Sequence, residues 1–415
     1  MNTSVIFRTQ LEEFDISPER GFLPAEDPLR VFLAHPRYFS AAERAYIDAL
    51  SECARKLPEW LASGRIRQEL EKCLKDFTDT QCAQTIVEKA GPRERAWLMR
   101  TLSFLSSAWV WGGIDEGHTD RIPAFLAKPL CTIACAVSRH PILSYDSYGP
   151  ENWYRIDPKG PIALGNLGVI QNFLGDSDEN WFILVHVEIE SEAGPIPLYA
   201  LSALKALARG SYETAGVCLD GIRMCLYKVN AVMRRMPEGC DPHIYFDRVR
   251  PYIHGSKNNP ALPNGVIYEG CFGKVPQKFY GETGAQSAIF PTLYAFLGVH
   301  FTNDIYLQYL HEMREYMPSG HRQFIAFLEE AEQSGFSLMA AVKEGKVPHG
   351  AERVRDILSL MIEFLETHYL YAASYIQSQA QRSVANPTHT GTGGTPYMRY
   401  LKEHIDRLKE MRKSI

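Results

Sequence analysis

The most constraining feature of the sequence is a regular apolar stripe near the C-terminus that includes a histidine. Apolar side chains recur there at the i, i+3, i+4 spacing of one buried helix face, which predicts a long helix with His368 pointing inward. The stripe consists of Val354, Ile357, Leu358, Met361, Leu365, His368, Ala372 and Tyr375. A buried imidazole either has both ring nitrogens hydrogen-bonded or gives one to a ligand or metal. The spacing alone favours a satisfied core histidine, because no second metal ligand accompanies His368.

Composition excludes several classes of protein. The chain has 415 residues, of which 45% are apolar, so it can form one large or two ordinary domains able to bury a cofactor. Its net charge is −5 and its only marked basic block is at 409–413, so we expect no nucleic-acid partner. The nine cysteines include no CxxC pair and indicate reduced thiols. Without a signal sequence or an apolar run of about 18 residues, we expect a cytoplasmic protein with no membrane partner.

Helical periodicity dominates the chain and predicts a mainly α fold. Residues 1–30 mix Pro, Gly and acidic residues, and predict an irregular arm on the surface. The run at 181–189 is rich in β-branched residues, and its propensity alone favours a strand. Breakers at 146–165 mark a domain boundary. The predicted helices are 41–60, 66–77, 93–110, 124–139, a broken segment from 195 to 236, 243–250, 284–299, 304–316, 321–334, 351–380 and 396–413.

Several separate segments carry a resemblance to the indoleamine 2,3-dioxygenase family of haem enzymes. Their order and spacing matter more than any one of them, and the likeness covers the chain from about residue 90 onward. The segments are 108–113 (AWVWGG), 141–145 (PILSY) followed by 152–153 (NW), 258–270 (NNPALPNGVIYEG), 284–287 (GAQS), 313–322 (MREYMPSGHR) and 391–395 (GTGGT).

The resemblance implies a helical two-domain haem protein. A small, mostly helical N-terminal domain (1–173) would cover the distal side, and a large helical domain (174–415) with a Gly-rich loop at 386–395 would bind haem b. The resemblance makes 181–189 a helix rather than a strand. The implied reaction inserts both atoms of O₂ across the C2–C3 bond of the indole of L-tryptophan, giving N-formylkynurenine, with an electron donor for ferric haem. The alternatives are a haem enzyme rearranging or oxygenating another indole, as in the pyrrolnitrin pathway, and a non-catalytic gas sensor or O₂ carrier.

The resemblance also assigns residues to the haem. The position of the proximal iron ligand is that of His368. Thr283, Gly284 and Ser287 match a stretch packed beside the haem edge, although Thr283 also suits an ordinary helix N-cap. Thr392, in the Gly-rich loop, matches a threonine that approaches the substrate and a haem propionate. Composition alone favours a flexible surface linker for this loop.

On the distal side, Phe182 and His186 lie four residues apart and share a face if their segment is helical. The resemblance places Phe182 against the indole ring, and His186 where many members have serine, so His186 is a candidate catalytic residue. A register shift of two residues toward Glu188 would instead make His186 a buried structural histidine. Tyr145 and Tyr148 match positions that line the inner distal pocket.

The last group of candidates would bind the amino-acid part of the substrate. Tyr245 and Phe246 match aromatic residues of the pocket, and Arg250 matches the arginine that binds the carboxylate with its planar, always-charged fork. From residue types alone, this segment is an amphipathic helix end with a solvated arginine. Pro251 disfavours the α conformation at Arg250, which leaves the aim of its side chain open. His321 belongs to a family motif, and we expect it to be structural.

Overall fold

The computed structural model describes residues 1–77, 80–113 and 115–415 and shows a mainly α fold, as predicted. None of the helices within those residues has the length and apolar character needed to cross a membrane. The first half contains α1 (Thr3–Arg8), α2 (Ala41–Ala62), α3 (Ile66–Leu74), α4 (Thr80–Lys89), α5 (Pro92–Trp111), α6 (Ala124–Ala136) and α7 (Tyr145–Tyr148). The second half contains α8 (Ser177–Ala193), α9 (Ile196–Arg209), α10 (Tyr212–Met233), α11 (Pro242–Ile244), α12 (Arg250–Ile253), α13 (Ile289–Leu297), α14 (Ile305–Met313), α15 (Ser319–Gln333), α16 (Leu338–Lys343), α17 (Gly350–Ala372) and α18 (Tyr397–Ser414).

Two short two-stranded sheets accompany the helices. The first pairs β1 (Arg121–Ile122) in parallel with β4 (Ile267–Tyr268), with Arg121 opposite Ile267. The second pairs β2 (Trp153–Arg155) in antiparallel fashion with β3 (Leu167–Val169), with Tyr154 opposite Gly168. The domain boundary predicted at 173/174 lies in the loop between β3 and α8, and the division into two domains stays a prediction.

The helix predicted from the apolar stripe is α17. The apolar residues of the stripe are buried, and α17 packs against α10 and α18. Helix α10 also packs against α8 and α9, so α8, α10 and α17 lie side by side. The run at 181–189 lies within α8, which begins after Asp176, where the Asp176 carboxylate accepts from the Glu179 N–H at 3.1 Å. Helix is therefore correct here, and the strand favoured by propensity is wrong.

The expectation of a surface arm at the N-terminus is wrong. Ile6, Leu11, Phe22 and Leu23 are buried, because α1 packs on α9 and the turn at Leu11–Phe14 packs on α15. Apolar residues spaced among Pro and Gly are sufficient to anchor an irregular segment to the core.

Two predicted helices are interrupted. The segment 284–299 divides into a 3₁₀ turn (Gly284–Gln286) and α13, because Ser287 is extended between them. The segment 243–250 divides into α11, a π turn (Tyr245–Val249) and α12. Both interruptions lie beside the cavity described next, and π turns are common at functional sites.

Candidate active site

A cavity lined mostly by the second half of the chain brings together most of the predicted site residues. Its empty space is about 1540 Å³, the open mouth included, and apolar and aromatic side chains form most of its wall. Among the predicted residues, those in the wall are Tyr145, Phe182, His186, Tyr245, Thr283, Gly284, Ser287, His368 and Thr392. Tyr148, Phe246 and Arg250 are not in the wall and lie behind it. Helices α8, α10 and α17 supply much of the wall, and the Gly-rich loop crosses it.

His368 lies in the wall of this cavity and, unlike its apolar neighbours on the stripe, is exposed to the open space. Among the described residues, no group hydrogen-bonds to either of its ring nitrogens. Removal from bulk water inside the cavity lowers the pKa of His368 to about 4. The imidazole is therefore neutral and has a free lone pair, as a metal ligand requires. His368 is therefore not a core histidine with both ring nitrogens hydrogen-bonded.

The surroundings of His368 fit a haem better than a bare metal ion. The described residues contain no group of three or more His, Cys, Asp or Glu side chains that could hold an ion by themselves. A single histidine such as His368 would be enough to hold iron if a macrocycle supplied the other ligands. The wall near His368 is apolar, as a flat macrocycle requires, and includes Val229, Met233, Phe290 and Phe364.

His186 lies in the cavity wall together with Phe182, one turn before it on α8. Their ring centroids are 4.6 Å apart, and His186 Nδ1 lies 2.7 Å from the Phe182 carbonyl oxygen. Because a carbonyl can only accept, Nδ1 carries the proton. Burial lowers the pKa of His186, against a smaller raising effect of the Phe182 carbonyl, so the ring is neutral and Nε2 is an acceptor. Glu188 points elsewhere and accepts from the Leu164 N–H at 2.9 Å.

Glu190, one further turn along α8, positions two cavity residues. Its Oε1 accepts from the Tyr145 hydroxyl at 3.0 Å and from the Ser287 hydroxyl at 2.6 Å. Burial raises the pKa of Glu190 to about 7, against the lowering effect of both hydrogen bonds. The sequence prediction missed this residue, although its i+4 spacing from His186 was a usable signal.

Tyr148 packs behind the indole-facing wall that the resemblance implied. Its ring centroid is 5.6 Å from that of Phe104 and 6.3 Å from that of Phe182. Its hydroxyl donates to Glu179 at 3.2 Å. In this structure, Tyr148 supports Phe182 from behind, and a direct contact with substrate stays a prediction.

Arg250 lies behind the wall because it holds the Gly-rich loop. Its guanidinium donates to the Asn386 side chain and to the carbonyls of Pro387 and Thr390. The side chain is fully buried, which lowers its pKa to about 10, and no carboxylate among the described residues pairs with it. The solvated arginine suggested by residue types is therefore wrong. Carboxylate binding by Arg250 stays a prediction.

The backbone at Arg250 also differs from expectation. Arg250 adopts the α conformation (φ −54°, ψ −37°) although Pro251 follows it. The preceding π turn brings the Arg250 N–H to the Tyr245 carbonyl. Pro251 has no N–H to donate to the next carbonyl, that of Phe246, and Asn386 donates to it instead at 2.6 Å. Asn386 thereby compensates for the missing donor and also accepts from Arg250.

The Gly-rich loop is packed rather than free. Thr392, Gly393, Gly394 and Thr395 are buried, and the Thr392 carbonyl accepts from the Gly255 N–H at 3.4 Å. A Cβ on Gly393 would lie 2.1 Å from the Tyr309 hydroxyl, so only glycine allows this approach. The flexible surface linker favoured by composition is therefore wrong for these residues.

The small residues predicted beside the haem edge lie in the cavity wall. Thr283 is also an N-cap, since its hydroxyl accepts from the Ala285 N–H at 3.4 Å. Both interpretations of Thr283 from the sequence are thus compatible. His321 is buried outside the cavity, with its ring centroid 4.8 Å from that of Phe22.

Comparison with known proteins agrees with this geometry. The family model described as indoleamine 2,3-dioxygenase matches residues 10–411. The chain is 30% identical to indoleamine 2,3-dioxygenase 1 of Rattus norvegicus over 97% of this chain and 96% of the relative. It is 29% identical to an indoleamine 2,3-dioxygenase of Aspergillus candidus over 95% and 96%. It is 25% identical to a 6-hydroxytryptophan 2,3-dioxygenase of Fusarium equiseti over 95% and 96%.

A match over nearly the whole chain, together with an uncovered histidine in an apolar cavity, leads to one assignment. The chain belongs to the indoleamine 2,3-dioxygenase family.

Proposed function

We propose that the protein is a haem-dependent dioxygenase that cleaves the C2–C3 bond of the indole ring of L-tryptophan, giving N-formylkynurenine. The observation that carries the proposal is the neutral His368 imidazole in a cavity whose wall also contains Phe182 and His186, which suit an indole. A haem held through His368 supplies O₂ activation when its iron is reduced, so an external electron donor is also required.

The protein would contribute mainly by positioning the substrate and by excluding water from the cavity. The Phe182 and Tyr245 rings are 4.8 Å apart by centroid and form an aromatic wall for an indole. Nε2 of His186 can accept the indole N–H, which fixes the ring without removing its proton. The packed Gly-rich loop excludes water from this end of the cavity. Positioning of an electron-rich ring accounts for much of the acceleration, and no strong base is needed.

The amino-acid end of the substrate would lie toward Arg250. The charge of Arg250 acts on Tyr245 and Tyr397, both in the cavity wall, and lowers their pKa against the larger effect of burial. A buried cation without a carboxylate partner attracts an anionic group into the cavity. This favours an amino acid over an indole that has no carboxylate.

A ring-substituted tryptophan is the second candidate substrate. The relative from Fusarium equiseti is named for 6-hydroxytryptophan and covers nearly the same length. This candidate keeps the same reaction and the same residues.

The test combines spectroscopy with turnover. The purified protein should show a Soret band, and after reduction with ascorbate it should convert tryptophan into a product with formylkynurenine absorbance. His368→Ala should lose haem or the axial histidine signature, whereas His321→Ala, a buried histidine outside the cavity, should keep both. A normal Soret spectrum in His368→Ala contradicts the haem assignment, and a haem-loaded wild type without turnover of either tryptophan contradicts the reaction.

A further inference from the structure

Glu282 is a carboxylate in the cavity wall that lacks a donor. It is only 3% exposed and lines the same cavity as Phe182, His186 and Tyr245. Within the described parts of the chain, no group donates a hydrogen bond to its side chain. Burial raises the pKa of Glu282 to about 8. Buried carboxylates are normally paired, so Glu282 is free to accept a hydrogen bond from a molecule in the cavity.

Two other buried glutamates on this side of the molecule have the partners that Glu282 lacks. Glu179 accepts from the Tyr148 hydroxyl and Glu190 from the Tyr145 hydroxyl. Both tyrosines also lie near Glu282, because its negative charge contributes to the raised pKa of each. Their hydroxyl protons are already donated elsewhere. These two phenols therefore do not donate to Glu282, which leaves its carboxyl group available to a bound molecule.

The position of Glu282 matches the amino-acid end of the substrate. Its backbone N–H donates to the Ile253 carbonyl at 3.0 Å, at the end of α12, the helix that begins with Arg250. Tyr245 lies under the influence of both charges, since Arg250 lowers its pKa and Glu282 raises it. Tyr245 in the cavity wall thus feels both the Arg250 guanidinium and the Glu282 carboxyl group, and an α-amino acid carries the complementary carboxylate and ammonium.

We propose that Glu282 accepts hydrogen bonds from the protonated amine of the substrate, so that the site selects indoles that carry an ammonium group. This inference rests on the proposed function for the position of the indole ring. A charge-assisted hydrogen bond to an otherwise unpaired carboxylate changes affinity by about 10- to 100-fold. An indole acid without an amine leaves Glu282 unpaired and gains nothing from it.

Proton release on binding is a second consequence. At pH 7 the carboxyl of the ligand-free site is mostly protonated, and an ammonium needs the carboxylate, so binding of an amine releases a proton. The affinity for amines therefore rises with pH from 6 to about 8. The three phenols near Glu282 stay neutral in this range because their pKa values are raised. Glu190, whose pKa is about 7, also titrates in this window, so the release has to be assigned with a variant.

The experiment measures binding to the haem-loaded protein by calorimetry and spectral titration. The ligands are L-tryptophan, tryptamine, which lacks the carboxylate, and indole-3-propionate, which lacks the amine. Calorimetry at pH 7 in phosphate and in Tris, two buffers of different ionisation enthalpy, gives the number of protons released. Glu282→Gln is the test variant. Glu151→Gln is the matched control, because burial also raises the pKa of Glu151 to about 8 and it is not in the cavity wall.

We expect Glu282→Gln to weaken tryptophan and tryptamine by at least about tenfold, to abolish proton release and to leave indole-3-propionate unchanged. Glu151→Gln should change none of these. Equal losses for all three ligands, or no proton release from the wild type with tryptamine, would overturn the inference. Amine-dependent binding without turnover would reject the proposed reaction and keep this inference, whereas turnover with amine-independent binding would do the reverse.

Discussion

Replacing His186 tests whether its ring nitrogen contacts the indole. Nδ1 donates to the Phe182 carbonyl at 2.7 Å, so the neutral ring offers Nε2 as an acceptor and has no second proton to give. His186→Phe keeps a flat ring between Phe182 and Tyr145, whose centroids lie 4.6 and 5.8 Å from that of His186. It removes the acceptor while largely preserving the shape of the wall. His186→Ser, which introduces the residue that the family resemblance implies at this position, removes the ring as well.

The expected magnitude is that of one neutral hydrogen bond. Such a bond contributes about 0.5–1.5 kcal/mol, which is roughly a 2- to 13-fold change in the dissociation constant of tryptophan. N1-methyltryptophan has no indole N–H and should bind worse than tryptophan to the wild type. In His186→Phe, the ratio of the two dissociation constants should fall by about the same factor. Since burial lowers the pKa of His186, the wild-type ratio should stay constant from pH 7 to 8.

The assay is a spectral titration of the haem-loaded protein with both ligands. His321→Phe is the matched control, because this histidine is also buried but packs on Phe22 outside the cavity. Haem content should stay normal in every variant, and the control should keep the wild-type ratio. If the ratio of the two dissociation constants is the same in the wild type and in His186→Phe, His186 does not contact the indole nitrogen. The acceptor role derived from its tautomer is then wrong.

Two further predictions concern the loop and pH. Arg250→Ala removes three hydrogen bonds to residues 386–390. We therefore expect faster amide hydrogen exchange at 386–395 and weaker binding even of tryptamine, which has no carboxylate. If only ligands with a carboxylate bind more weakly, Arg250 acts on the substrate alone. Burial raises the pKa of both Glu179 and Glu190 to about 7. The folded state then holds protons that the unfolded state releases above about pH 4.5. The free energy of unfolding should therefore fall as pH rises from 5 to 7, by up to about 1.4 kcal/mol per pH unit for each of the two groups. Urea unfolding should show a smaller slope for Glu190→Gln, and an unchanged slope contradicts the raised pKa.

The fold could be predicted well wherever one helix face is continuously apolar. The stripe that defines α17 is an example, because its period alone specifies which side is buried. Prediction failed where tertiary contacts override local preference. Helix α4 was missed. The N-terminal arm was placed on the surface because the burial of Ile6 and Leu11 depends on helices that lie far away in the sequence, namely α9 and α15.

The candidate site divides in the same way. His186 and Phe182 were accessible from the sequence, because a helical period relates residues four apart. Glu282 was not, because a single acid in a run of small residues carries no periodic signal. Its importance depends on Tyr145 and Tyr148, whose hydroxyls are used by other glutamates. The orientation of the Arg250 side chain could not be predicted either, because it depends on Asn386, which lies 136 residues away. Asn386 also supplies the backbone donor that Pro251 lacks.

The elements that would bind the ring differ from those that would bind the amino-acid end. Helix α8 presents Phe182, His186 and Glu190 at successive turns, so one rigid element sets the Phe182 side of the aromatic wall, the acceptor and the support of Tyr145. Arg250 belongs to α12 and Glu282 to the segment after β4, and a backbone hydrogen bond from Glu282 to Ile253 joins the two. Opening of the Gly-rich loop would therefore disturb Arg250 first, because Arg250 hydrogen-bonds to the loop, whereas no hydrogen bond within the described residues joins α8 to it. The positions of Phe182 and His186 thus depend less on the loop than those of Arg250 and of Tyr245, which lies in the π turn before it.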